Sequence, residues 1–355
     1  MDIETRTRRA ACTRFLNGDG LVAPADLLAS VPPDVTPDVY GDGGVVSELE
    51  AMVAQLLGKP AAVFLPSGTM AQGATLRVLA DARGVRTVVW HPTSHLELHE
   101  LQAHTRLHDL VGRPVGSADR LLELADLESV AEPVAALLLE LPQREIGGQL
   151  PDWEDLVAQV GWARGHGAAV HLDGARLWEA AAGYGRGPAE LADLADTVYV
   201  SFYKGIGALP GCCVAGPEGT VSQVREWRRR LGGTLHGLWP QAASALQLLP
   251  ERLAEMPARL AHARELATAL RDVEGVRVVP ERPHVSMMHL LLATDAPTFA
   301  LASRRLAENG GVWTWPTASP TVDPSVVRCE LNVGRATCAM TPAEVAEVVA
   351  QLVSG

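Results

Sequence analysis

The chain has 355 residues and is 47% hydrophobic, enough to bury a large core and to form one large domain plus a smaller one. A formal net charge of −12 excludes nucleic acid and anionic membrane as the main partners, because both attract basic surfaces. Five scattered cysteines, no apolar run behind the N-terminal arginines and no stretch near the roughly 20 apolar residues of a span exclude a disulfide framework, an export signal and a membrane helix, and imply a cytoplasmic protein.

Residues 1–38 are expected to form an N-terminal arm, since periodicity is weak and Pro32, Pro33 and Pro37 mark an extended connector. Ser47-Glu-Leu-Glu50 has the form of a capping box, and Leu49, Met52, Val53, Leu56 and Leu57 follow at helical spacing until Gly58. Ala61 to Leu65 reads as a short apolar strand that runs into Pro66-Ser67-Gly68-Thr69-Met70 and a helix to about Ala80. Such a strand, small-residue turn and helix set free N–H groups and a positive dipole end beside the Ser67 and Thr69 hydroxyls, which is the chemistry of a phosphate cradle. An ordinary βα turn with a Ser or Thr cap has the same pattern.

Thr87 to Trp90 is the next predicted strand, followed by His91-Pro-Thr-Ser-His95-Leu-Glu-Leu-His99-Glu100. His95 and His99 share a helix face at i, i+4, but no third ligand stands at persuasive spacing, so no metal is expected. A histidine at a strand end can instead stack on a planar cofactor ring. Val134 to Leu139 is a strongly apolar strand that opens into the polar loop Glu140-Leu-Pro-Gln143-Arg144-Glu145, and Asp152 caps a helix to about Arg164. Ala168 to Leu172 then delivers Asp173 within His171-Leu-Asp-Gly-Ala-Arg176, and Thr197-Val-Tyr-Val-Ser201 leads to Lys204. The carboxyl ends of parallel strands line the crevice of an open α/β sheet, so Asp173 and Lys204 are expected to face one site. An aspartate that can hold a pyridinium nitrogen and a lysine that can form a Schiff base are the pair that pyridoxal phosphate chemistry requires.

Gly211 to Gly216 reads as a strand, and Pro217 starts a helix carrying Arg225, Arg228, Arg229 and Arg230, either a solvated face or an anion contact across a subunit interface. Residues 241–272 are helical by period. Strands follow at Val276 to Val279, Val285 to Leu292, near Val312 to Trp315 and at Val326 to Val333, with a helix at Ala300 to Glu308. Thr341-Pro-Ala-Glu344 opens the last helix with cap, first-turn proline and box glutamate together. The domains are therefore expected at 1–38 (arm), 39–245 (large, cofactor-binding) and 246–355 (small, α+β).

The strings Tyr40-Gly41-Asp42, Pro66-Ser-Gly-Thr-Met70, His171-Leu-Asp-Gly-Ala-Arg176, Lys204-Gly205 and Leu231-Gly-Gly233, in that order and at these intervals, resemble the threonine aldolase and β-eliminating lyase family of fold type I pyridoxal phosphate enzymes. The resemblance implies an α/β large domain with a mostly parallel seven-stranded sheet flanked by helices, a small C-terminal domain, and a homodimer or homotetramer with active sites at the subunit interface. It implies that Lys204 binds the cofactor and then shuttles a proton, and that Asp173 holds the ring nitrogen protonated. Ser67, Gly68 and Thr69, with help from Ser201, would bind the phosphate, and His95 would stack on the ring and take the β-hydroxyl proton. Arg176 and Arg328 match the positions that grip the substrate carboxylate, with Tyr40 and Gln143 also on the substrate side.

The departures from the family lie on that side. No Arg-Ser-Asp-Thr string occurs in residues 1–20, Gly43-Gly44-Val45 replaces Asp-Pro-Thr, and His236 replaces an arginine. Gln143 stands where the family has a histidine, and glutamine is no base at neutral pH. The expected activity is cleavage of an L-β-hydroxy-α-amino acid to glycine and an aldehyde. A β-eliminating lyase or aminotransferase on another amino acid is the alternative, and a cofactor-free binding protein on the same fold a third reading.

Overall fold

The computed structural model describes residues 2–355, which divide into two compact units. The larger comprises Pro24–Glu145 and Leu150–Ala254; the smaller comprises residues 2–23, Ile146–Gln149 and Glu255–Gly355.

The larger unit is built on a seven-stranded sheet. Its strands are β1 (Ala61–Leu65), β2 (Thr87–Trp90), β3 (Val111–Pro114), β4 (Ala136–Glu140), β5 (Ala169–Gly174), β6 (Thr197–Ser201) and β7 (Cys212–Gly216). They lie in the order β1-β7-β6-β5-β4-β2-β3, with β7 antiparallel to both its neighbours and the other pairings parallel. The central strands β5, β6 and β7 are buried at every residue, which is why they read as largely apolar segments, with His171 and Asp173 as buried exceptions on β5. Register decides what meets at their ends: Glu140 of β4 lies opposite Asp173 of β5.

Strand β3 has no counterpart among the predicted elements. It is the sheet's edge, its four residues Val-Gly-Arg-Pro are half-buried at most, and it shows neither apolar alternation nor an apolar run. Gly112 is required there, because a Cβ would meet the Trp90 ring at 2.2 Å.

The helix expected to start at a Ser47 box begins earlier, at Gly44, so Ser47 lies inside Gly44–Leu56. Glu50 takes a different partner from the one its spacing predicts. It is buried, accepts from Phe64 N at 2.8 Å and is gripped by both terminal nitrogens of Arg225 at 3.2 and 2.8 Å. Arg228, 1% exposed, donates to Phe64 O at 2.8 Å and underlies Gly41. Two of the four arginines on the helix Glu218–Arg230 thus serve the interior of the chain rather than solvent or an external anion.

In the smaller unit Ser319–Pro320, Val327–Asn332, Met287–Leu292 and Val276–Val279 form an antiparallel four-stranded sheet in that order. Its core gathers Leu266, Leu290, Phe299, Leu331 and Val349. The first residues belong to this unit: Ile3–Ala11 is a helix capped by Asp2, and Arg14–Phe15 pairs in parallel with Val312–Trp313. Leu16, fully buried in that core, anchors the segment. The last helix begins at Pro342 with the expected Thr341–Glu344 capping box.

Candidate active site

A cleft of about 210 Å³ opens at the carboxyl ends of the parallel strands in the larger unit. It is lined by Pro66, Ser67, Gly68, Thr69, Gln72, His95, Glu100, Asp173, Tyr199, Tyr203, Lys204 and Pro210. Strand β1 leads into the sixteen-residue helix Gly68–Arg83, whose N-cap Ser67 makes no side-chain capping bond. The first N–H groups of that helix have no intrahelical acceptor and remain available to an anion. Gly68 permits a close approach, since a Cβ there would meet the Tyr199 hydroxyl at 2.4 Å. The buried Ser201 hydroxyl makes no well-formed hydrogen bond, only a weak interaction with the Tyr199 phenol.

Asp173 is 3% exposed, and its Oδ1 accepts from Ala175 N at 3.1 Å. Burial pushes its carboxyl above the usual range, and the Lys204 ammonium pulls it back. Lys204 follows β6 by three residues, and burial lowers the pKa of its amine while Asp173 opposes that shift. The Arg176 guanidinium adds repulsion on Lys204 and so belongs to the same electrostatic neighbourhood; its residue is the N-cap of Leu177–Tyr184. His95 begins the short helix His95–Leu98, and its Nδ1 lies 3.0 Å from Glu100 Oε1. That hydrogen bond holds the imidazole pKa above the ordinary histidine value, against the effect of burial.

Below the cleft, His171 is fully buried between Gln72 Oε1 at 2.6 Å and Thr197 Oγ1 at 2.8 Å. Burial pushes its pKa down to about 3, so it stays neutral and acts as a fixed prop for the cleft-lining Gln72.

Ser67, Gly68, Thr69, His95, Asp173 and Lys204 therefore meet in one cleft, with Ser201 and Arg176 close to it. Three residues named from sequence are not among those that line this cleft. Gln143 is 4% exposed and donates to Thr93 Oγ1 at 3.1 Å and Glu140 Oε2 at 3.2 Å, outside the cleft lining. Tyr40, 54% exposed, has φ of 55° and packs edge-on against His236. Arg328 lies on Val327–Asn332 of the smaller unit.

Sequence reasoning passed over Glu100, Tyr199 and Gln72 and read Glu140 only as the start of a polar loop. Burial, then the charge of Asp173, pushes the Glu140 carboxyl up to about 7. The available signal for Glu140 was an acid ending an apolar strand, the same signal that singled out Asp173. Glu100 carried none beyond its distance of five residues from His95.

The residues present suit pyridoxal phosphate: uncapped helix N–H groups and hydroxyls for a phosphate, a buried aspartate for a ring nitrogen, and an amine of lowered pKa for the aldehyde. Fold and cleft together define a fold type I pyridoxal phosphate enzyme. Residues 34–294 match the model of the beta-eliminating lyase family, and the chain belongs to that family as a pyridoxal phosphate-dependent lyase. It is 30% identical over 318 residues to the probable low-specificity L-threonine aldolase 2 of Arabidopsis thaliana, covering 86% of this chain and 89% of that one. It is 29% identical over 265 residues to the low specificity L-threonine aldolase of Escherichia coli K12, covering 72% and 79%. A Listeria monocytogenes structure, provisionally described as an L-allo-threonine aldolase, superposes with a TM-score of 0.92 at 36% identity over 98% of this chain and 97% of that one.

Proposed function

We propose that the protein cleaves an L-β-hydroxy-α-amino acid, threonine or a relative, to glycine and an aldehyde by retro-aldol chemistry. The observation that supports this best is the meeting of Lys204, Asp173 and His95 in one cleft beside an uncapped helix N-terminus. The names of the aldolase relatives point the same way.

When bound, pyridoxal phosphate would supply an electron sink at the substrate Cα. The N–H groups at Gly68 and Thr69, with the Ser67 and Ser201 hydroxyls, would hold its phosphate. Asp173 would keep its ring nitrogen protonated by charge. Burial lowers the Lys204 pKa, which raises the fraction of neutral, nucleophilic amine, and the same amine later delivers a proton to Cα. Arg176 and Arg328 grip the substrate carboxylate with planar forks, which fixes rotation about the Cα–N bond and so selects the bond that breaks. His95 takes the β-hydroxyl proton as the Cα–Cβ bond breaks and the hydroxyl carbon becomes the aldehyde. Overall that proton is replaced by one on Cα, and the products are glycine and aldehyde. Gln143 contributes no base, being a glutamine whose amide is committed to Thr93 and Glu140. The working protein is a cytoplasmic homodimer or homotetramer, and the exposed, conformationally strained Tyr40 is a substrate-side contact at the subunit interface.

The test is aldehyde and glycine release by purified holoenzyme from L-threonine, L-allo-threonine and β-phenylserine. Visible cofactor absorbance without aldehyde from any of them overturns the reading. Ammonia with a keto acid, or transfer of the amino group to a second keto acid, would assign the elimination or transamination that the altered 141–145 loop allows.

A further inference from the structure

We infer that Glu100 is a positioning residue for the proposed cleavage: its buried carboxylate holds the Nδ1–H of His95 and leaves Nε2 as the nitrogen that receives the β-hydroxyl proton. This deepens the aldolase reading and rests on it.

The geometry is local and specific. His99 N returns to His95 O at 2.9 Å, closing one helical turn that brings Glu100 back beneath the imidazole. Glu100 is 6% exposed and lines the cleft, and among the described residues its side chain's one hydrogen bond is to His95 Nδ1 at 3.0 Å. Burying a carboxylate is costly unless it is paired, and here the imidazole is the pair. An ionised carboxylate only accepts, so Nδ1 carries the hydrogen and the neutral ring keeps its lone pair on Nε2. Among the described residues Nε2 has no hydrogen-bond partner.

The other charged or titratable groups acting on His95 are the His99 ring, 5.1 Å away between centroids, Asp173 from β5, Glu140 from β4 and Lys204. Asp173 and Glu140 favour the imidazolium and Lys204 opposes it, but the Glu100 hydrogen bond is the largest influence. Glu100 thus does two things: it selects the tautomer and makes Nε2 a stronger base.

The experiment compares wild-type holoenzyme with Glu100→Gln, which keeps the shape and an acceptor but loses the charge. In the variant the rising limb of kcat/KM against pH is expected to move down by about one pH unit. Its kcat is expected to fall by roughly tenfold, part of what a positioned base contributes. The variant should still bind cofactor, because the Lys204 and Asp173 side chains are retained. Nitrogen-15 NMR reads His95 without turnover: wild type should show a neutral ring protonated at Nδ1, and the variant a lowered His95 pKa. An unmoved His95 titration in the variant, or a wild-type neutral ring protonated at Nε2, overturns the inference. If the variant does not fold, the wild-type tautomer decides. If wild type cleaves no β-hydroxy amino acid, the aldolase reading fails and the NMR result alone judges the role of Glu100.

Discussion

Replacing Asp173 by asparagine tests the core of the site most directly. The side chain is 3% exposed, and asparagine can keep the 3.1 Å bond from Ala175 N, so the fold should survive while one negative charge is lost. Breaking a buried ion pair by removing one partner costs about 3–5 kcal/mol. At about 1.4 kcal/mol per factor of ten, this corresponds to a combined loss of roughly 10²- to 10⁴-fold in cofactor affinity and rate. The two shares are separable: equilibrium dialysis against pyridoxal phosphate reads the first, and single-turnover aldehyde release at saturating cofactor reads the second. Without cofactor the sign reverses. Burial raises the Asp173 pKa, so the folded chain binds that proton more tightly than the unfolded one, and stability falls as pH rises through this interval. Cofactor-free Asp173→Asn should therefore be more heat-stable than wild type at pH 8, with the gap closing in acid. A variant within tenfold of wild type in both affinity and rate would refute the assignment of Asp173 to the ring nitrogen.

Glu140→Gln should show the same sign through a separate group. The Glu140 pKa rises from 4.5 to about 7 on folding, so its stabilising proton is present below the unfolded value and lost between the two. In cofactor-free protein the melting temperature of the variant should pull ahead of wild type between pH 5 and 7.5; parallel curves would contradict this. Arg176→Lys keeps the charge but loses the planar fork, and a charged hydrogen bond is worth about 1.5–3 kcal/mol, so KM for the amino acid should rise roughly 10- to 100-fold. An unchanged KM would remove Arg176 from the substrate site. Glu50→Ala strips the carboxylate that Arg225 grips at 2.8 Å and leaves that charge, and the neighbouring buried Arg228, uncompensated. Urea denaturation should then show a loss of about 3–5 kcal/mol, whereas a loss below 1 kcal/mol would mean the arginines find other partners.

Much of this protein was decided by the sequence alone. The apolar runs ending at Leu65, Leu139, Leu172 and Ser201, the small-residue turn at Ser67-Gly68-Thr69, and Asp173 and Lys204 at successive strand ends define a parallel sheet with a cofactor crevice, because strand formation and helix entry depend on neighbours a few residues away. The Thr341 capping box is legible for the same reason. Other features depend on strand order and register, to which local pattern is blind. Glu140 acquires a titration near neutrality because β4 pairs with β5 and sets it opposite Asp173. Glu50 leaves its apparent capping role because Phe64 N and Arg225, 14 and 175 residues away, offer a buried carboxylate better partners. The loop after β4 seats Gln143 against Thr93 and Glu140. Glu100 lies near His95 in sequence, yet only the closed turn and the burial around it make the two a pair. A side chain's identity is written locally, but its protonation state is set by whatever the fold packs around it, and that was decided by the tertiary structure.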